Sequence, residues 1–148
     1  MATQNRIRKP NNKEIHSGDP FVRFGIVEGA NIKNGRLVIA GTNADDIKVA
    51  TNEVLSALGW VIRDKTNPMV RESDRTTDYT AGELVAFAHG DACILVGYCE
   101  GACNEGSPLV PGTAGAVKPD ATDDESAIVG YAQETIASAG FILIKPNI

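Results

Sequence analysis

Short apolar runs, each closed off by turn residues, follow one another along almost the whole chain, and this pattern restricts it to a fold of short strands. The runs expected to form strands cover residues 22–27, 36–40, 47–50, 57–63, 83–89, 92–98, 127–132 and 141–145. Fifteen glycines in 148 residues favour many turns over long helices. Two stretches also carry apolar residues at helical spacing, Val54, Leu58 and Val61 in one and Ile128, Ala132 and Ile136 in the other. Gly59 and Gly130 interrupt them at a cost of about 1 kcal/mol each relative to Ala in a helix. β-branched residues crowd both stretches, so strand is the better reading.

The best-marked local unit is ELVAFAH-GD-ACILVGY, in which Gly90-Asp91 separates two apolar runs. That spacing predicts a type II′ hairpin. Strand parity puts Cys93, Leu95 and Cys99 on one face and Ile94, Val96 and Tyr98 on the other. Both faces are apolar, which suits a strand between two packed layers or in a small barrel. A weak internal repeat points the same way. Ala57-Leu58-Gly59-Trp60-Val61 resembles Ile128-Val129-Gly130-Tyr131-Ala132, and each is followed by an Ala-Gly pair (Ala81-Gly82, Ala139-Gly140) opening an apolar run. The first copy carries a longer, charge-dense connection over residues 64–80. Two such units predict a barrel or sandwich rather than a solenoid.

A chain of this length buries roughly 68–70% of its unfolded surface, enough for a core without disulfides or metals. Aromatics are 5% of the residues, so Val, Ile, Leu and Ala must build that core, with the single Trp60 as a packing anchor. Residues 1–18 are polar and punctuated and read as an extended basic N-terminal arm; residues 19–148 form one β-rich domain.

Charge and cysteine usage exclude several functions. A net charge of −5 argues against phosphate-backbone binding, and aromatics do not interleave with basic residues as a single-strand platform needs. No apolar run is long enough to cross a membrane as a helix. Cys93, Cys99 and Cys103 lack the paired spacing of a zinc site and are read as buried, reduced thiols. Neither nucleophile, phosphate-loop nor dinucleotide motifs are present, so no catalytic, cofactor-binding or metal-binding residue is expected. The rival reading, a small-molecule barrel or minor enzyme, would draw on His89, Asp91, Cys93 and Cys99 near one rim. The residues expected to touch a macromolecular partner are Arg6, Arg8, Lys9 and Lys13 in the arm, and Lys65, Arg71 and Arg75 in the long connection.

Several phrases in order carry a family resemblance: L-G-W-V, Y-T-A-G-E-L-V-A-F, Gly106-Ser107-Pro108-Leu109, Gly115-Ala116-Val117, Val129-Gly130-Tyr131-Ala132, and S-A-G-F-I-L-I-K-P. From about Ile32 to the C-terminus the chain resembles the capsid decoration, or head cement, proteins of tailed phages. That resemblance implies an all-β fold, a small β-barrel or β-tulip-like or sandwich domain. It also implies no enzyme activity, and a homotrimer bound to the major capsid protein at threefold positions on the virion exterior, assembled in the host cytoplasm. Another virion component, a tail or head-fibre base, is the alternative.

Overall fold

Eleven strands and two 3₁₀ turns account for the regular structure in the computed structural model, which describes residues 14–63, 75–120 and 125–148. Of Arg63 and Glu125 only the backbone is described. Among these residues there is no α-helix. The strands are β1 (Ile15–Gly18), β2 (Phe21–Val27), β3 (Leu37–Ala40), β4 (Asp46–Val49), β5 (Ala57–Arg63), β6 (Leu84–His89), β7 (Cys93–Cys99), β8 (Pro108–Pro111), β9 (Val117–Pro119), β10 (Gly130–Ala132) and β11 (Gly140–Pro146).

Two rings of five strands result. The first is a closed barrel in the order β2-β4-β3-β5-β6. In the second, β7-β11-β10-β8-β9 run in one sheet, and a parallel bridge Cys99↔Val117 joins β9 back to β7. The two rings repeat one another strand for strand. In each, the first strand pairs parallel with the third (β2–β4, β7–β9) and every other pairing is antiparallel.

The repetition extends to single residues. Trp60 faces Ala88 as Tyr131 faces Lys145, Val38 faces Gly59 as Leu109 faces Gly130, and Gly25 faces Val85 as Gly97 faces Ile142. Loops match as well. Glu28 Oε1 accepts from Thr42 N at 2.8 Å, and Glu100 Oε1 accepts from Thr113 N at 2.7 Å. Gly35 and Gly106 hold left-handed φ values of 84° and 87° in equivalent turns. Their amides donate to Val61 and Ala132, which are themselves equivalent, both at 2.8 Å.

The repeated phrases around Trp60 and Tyr131 therefore mark a duplicated barrel. The Ala-Gly pairs, however, are one residue out of register. Glu83, not Gly82, is the counterpart of Gly140, because Glu83 O accepts from Val27 N where Gly140 faces Cys99. Gly59 and Gly130 are equivalent for a steric reason. A Cβ on Gly59 would collide with Ala88 O, and one on Gly130 would lie 2.7 Å from Lys145 O.

The hairpin expected at Gly90-Asp91 does not form. β6 is flanked on both edges by β2 and β5, and β7 by β11 on one edge and β1 and β9 on the other, so the two strands never pair. Gly90-Asp91 is instead the crossing from one barrel to the next, with Gly90 N bonded to Ile148 O at 2.7 Å. Local turn chemistry was outweighed by ladder bonds elsewhere in the chain. Two further departures are small. The expected strand at 127–132 is shortened by a 3₁₀ turn, Glu125–Ala127, and the short strands β8 and β9 lie in a stretch read as loop apart from its resemblance phrases.

Residues 15–18, assigned to the arm, form β1 and pair with β7. Beside them Glu14 is fully buried and its Oε1 accepts from Arg75 Nε at 2.8 Å. Arg75 also stacks 4.8 Å from the Phe141 ring. This ion pair with a planar guanidinium holds the start of β1 and the end of the long connection against the second barrel. Residues 1–13, the remainder of the arm, lie outside the described residues.

Alternation along β3, β5 and β6 splits the apolar side chains between two destinations. Val38, Val61, Val85 and Phe87 fill the first barrel together with Val27, Ile32, Ile47 and Tyr79. Leu37, Ile39, Trp60, Ile62, Ala86 and Ala88 point outward and join Leu95, Leu109, Val117, Ile142 and Ile144 of the second barrel in one cluster. Both faces of these strands are buried, as the apolar pattern required. Trp60 is the hinge of that cluster. A Cβ at position 97 would lie 2.6 Å from Ile144 Cδ1 and 2.9 Å from Trp60 Nε1, so the indole of one barrel rests on the backbone of the other where a glycine makes room. Burying a Trp side chain of about 150–250 Å² contributes at most about 4–6 kcal/mol. The buried Trp60 Nε1 has no hydrogen-bond partner among the described residues, which costs about 1–3 kcal/mol, so burial wins.

Gly97→Ala should therefore cost about 1–3 kcal/mol of unfolding free energy in urea, with β-rich circular dichroism retained; an unchanged midpoint would show that the barrels do not meet at this point. Trp60→Ala should cost about 3–5 kcal/mol, whereas Tyr131→Ala at the equivalent position of the second barrel should cost about 1 kcal/mol. Equal losses at the two sites would contradict the shared core.

Candidate interaction surface

Of the residues expected to meet a partner, Arg6, Arg8, Lys9, Lys13, Lys65 and Arg71 lie outside the described residues. Arg75 is described, and its guanidinium is engaged within the chain by Glu14 and Phe141. Beyond it, Thr76, Thr77, Asp78 and Thr80 are exposed, and Tyr79 anchors the segment. Tyr79 is buried, with its hydroxyl donating to Asn34 Oδ1 at 2.6 Å, and Asp78 pairs with Lys33 at 2.9 Å. That pairing and the Asn31 amide hold the Asp78 carboxyl below the usual carboxylate range. Within residues 75–80, Tyr79 is thus the buried anchor, and the charged Arg75 and Asp78 are paired within the chain.

A different surface stands out. β2 presents Val22, Phe24 and Ile26 to solvent at 44%, 40% and 38% exposure, and Leu84 of β6, which faces Ile26, adds 40%. Phe21 at the start of β2 is 68% exposed and its ring stacks on His89, with centroids 5.6 Å apart. Val22, Phe24, Ile26 and Leu84 thus form an apolar ridge on the outer side of the first barrel, with Phe21, of the opposite parity, at its rim. Scattered exposed hydrophobics are ordinary; a contiguous set on one strand pair is the usual mark of a protein contact. Sequence reading missed it because FVRFGIV is apolar at both parities, and nothing local says which parity is covered.

At the rim beside the ridge, Phe21, His89, Gly90, Asp91, Asn147 and Ile148 line a shallow groove of about 280 Å³. The residues of the rival enzymatic reading do not assemble there. Cys93 and Cys99 stand at opposite ends of β7, about 20 Å apart at 3.3 Å per residue. Cys93 Sγ donates to Gly90 O at 3.3 Å and Cys99 Sγ to Gly101 O at 3.2 Å, and neither thiol is bonded to His89. Burial raises the Cys93 thiol above its ordinary pKa. Cys103 is pushed up to about 11, by burial first and then by the neighbouring Cys99. Both are protonated at neutral pH, whereas the thiolate is the nucleophile. Burial and Arg23 lower the His89 pKa, leaving it a neutral imidazole stacked on Phe21. All three cysteines are free, and among the described residues no group of three or more His, Cys, Asp or Glu could hold a metal ion. The chemistry this surface offers is apolar contact.

No protein-family model matches the chain, and no curated protein matches it. Among solved structures it is similar to the N base of the head fiber gp8.5 of bacteriophage phi29, with a TM-score of 0.60 and 16% sequence identity. That similarity covers 87% of this chain and 95% of the fiber base. At that identity the likeness is one of fold: the all-β, barrel-containing architecture described above is shared with a phage head-fiber base.

Proposed function

We propose that this chain is a structural protein of a bacteriophage virion, seated on the outside of the head as a decoration or head-fibre base protein. The observation that carries this reading is the fold shared along nearly the full length of both chains with a head-fiber base, in a molecule whose accessible chemistry is an apolar ridge. The ordered phrases that resemble head cement proteins support it from the sequence side. A seat on the major capsid protein at local threefold positions, as a homotrimer, fits a small protein that presents an apolar ridge. Three copies of one modest contact give avidity without any single strong interface, and binding only the assembled shell stabilises that shell. The basic residues Arg6, Arg8, Lys9 and Lys13 suit an arm laid across an acidic capsid subunit.

Quantitative mass spectrometry of purified particles tests the reading, with the chain's copy number set against that of the major capsid protein. A copy number of the same order supports a decoration role, and a few copies per particle supports a portal, tail or sparse fibre role. Absence from particles rejects the virion reading. Deleting residues 2–13 should weaken binding of the purified chain to particles while leaving its thermal unfolding unchanged. Undiminished occupancy would remove the arm from the account.

A further inference from the structure

The duplicated register makes the barrel–barrel contact inside the chain a template for a contact between chains. Within the chain, the first barrel gives and the second receives. The turn at Gly35 and Arg36 lies on Tyr98 and Phe141: Tyr98 N donates to Gly35 O at 3.0 Å, and the Arg36 guanidinium stacks 4.1 Å from the Tyr98 ring. A Cβ on Gly35 would lie 2.8 Å from Phe141 Cε1. Trp60 then continues the giving face inward.

Each of these residues has a counterpart in the other barrel; that of Arg36 is the half-buried Ser107, and the others are exposed. The receiving residues Tyr98 and Phe141 correspond to Ile26 and Leu84, at 38% and 40% exposure. The giving turn at Gly35 corresponds to the exposed turn at Gly106, and Trp60 corresponds to Tyr131, at 37% exposure. The tandem thus ends in an uncovered receiving face on the first barrel and an uncovered giving face on the second.

We propose that a second copy of this chain covers the ridge, the giving face of one molecule (Tyr131 and the Gly106 turn) docking on the receiving face of the next (Ile26 and Leu84). The contact repeats the internal one in direction but not in depth. A Cβ at Gly25, the counterpart of Gly97, would lie 2.6 Å from Ile47 Cγ2, so the first barrel is already filled and Tyr131 lies on the ridge without entering it. Because giver and receiver are different surfaces, the contact is heterologous, and it closes into a ring when the rotation per copy allows. This rests on the self-association in the proposed function and assigns it a surface; it does not depend on what the oligomer binds.

Light scattering on the full chain across a concentration series, read by molar mass, tests the assignment. The wild type should be oligomeric. Ile26→Asp/Leu84→Asp, which removes the receiving face, and Tyr131→Asp, which removes the giving face, should each be monomeric with unchanged circular dichroism. Ile26→Thr/Leu84→Ser is the milder pair should the acidic one disturb folding, and should shift the mass toward monomer. Mixing the two acidic variants leaves one intact junction, so a 1:1 dimer should appear and grow with concentration. A monomeric wild type, or variants that keep its mass, would overturn the proposal. So would a mixture that stays monomeric, which is the result of a symmetric contact. If the ridge variants keep the wild-type mass but no longer bind particles, the ridge belongs to the capsid and the proposal is wrong. The virion reading fails separately, through absence from particles, and leaves these masses untouched.

Discussion

The indole of Trp60 lying against the backbone of Gly97 is the contact on which the rest of the molecule depends. It sits where the outward face of the first barrel meets the lining of the second, and it turns two small rings of strands into one core. Neither ring is well placed to stand alone. The second is closed by a single parallel bridge, and its lining residues Leu95, Ile142 and Ile144 pack against side chains supplied by the first. A domain of half this length buries a smaller fraction of its surface and is marginal, so sharing a core is the economical solution for a duplicated unit. The β1 strand and the Glu14–Arg75 pair then fasten the flank of the second barrel.

Much of this was legible in the residues. The short apolar runs located eight of the strands, and the phrases around Trp60 and Tyr131 marked the duplication, because Gly59 and Gly130 are each forced by a neighbouring strand's carbonyl. Along Val85–Ala88 and Cys93–Cys99, apolar residues at both parities correctly signalled strands buried on two sides; along β2 the same pattern leaves one face exposed. What failed was what depends on distant partners. Gly90-Asp91 has the chemistry of a hairpin, yet the edges of β6 and β7 were claimed by strands far away in sequence. β1 was invisible because a single apolar residue, Ile15, followed by His-Ser-Gly becomes a strand only when β7 offers an edge. β8 and β9 are short and rich in proline, so only their resemblance phrases hinted at them.

The surface was less legible than the fold. Charged residues drew attention to the arm and the long connection, but Arg75 is spent on internal packing, and Tyr79, passed over, is part of the core. The ridge of Val22, Ile26 and Leu84 escaped notice because exposure is a property of the assembled barrel: the same alternation buries Ala86 and Ala88 on β6 while leaving Leu84 in solvent. Duplication explains the asymmetry. Two copies of one unit placed in tandem satisfy one giving and one receiving face and leave the other two open. The cysteines follow the same economy: Cys93 and Cys99 donate to backbone carbonyls, and burial raises the thiols of Cys93 and Cys103, which suits packing rather than reaction.

The seat proposed for this two-barrel unit, on the outside of a phage head, is open to direct view by cryo-electron microscopy of purified particles. Two-barrel density should lie on the outer surface of the shell, with the Ile26–Leu84 ridge of each copy covered by the second barrel of a neighbour. Density inside the shell, or a shell surface bare of this chain in particles that contain it, would rule that seat out.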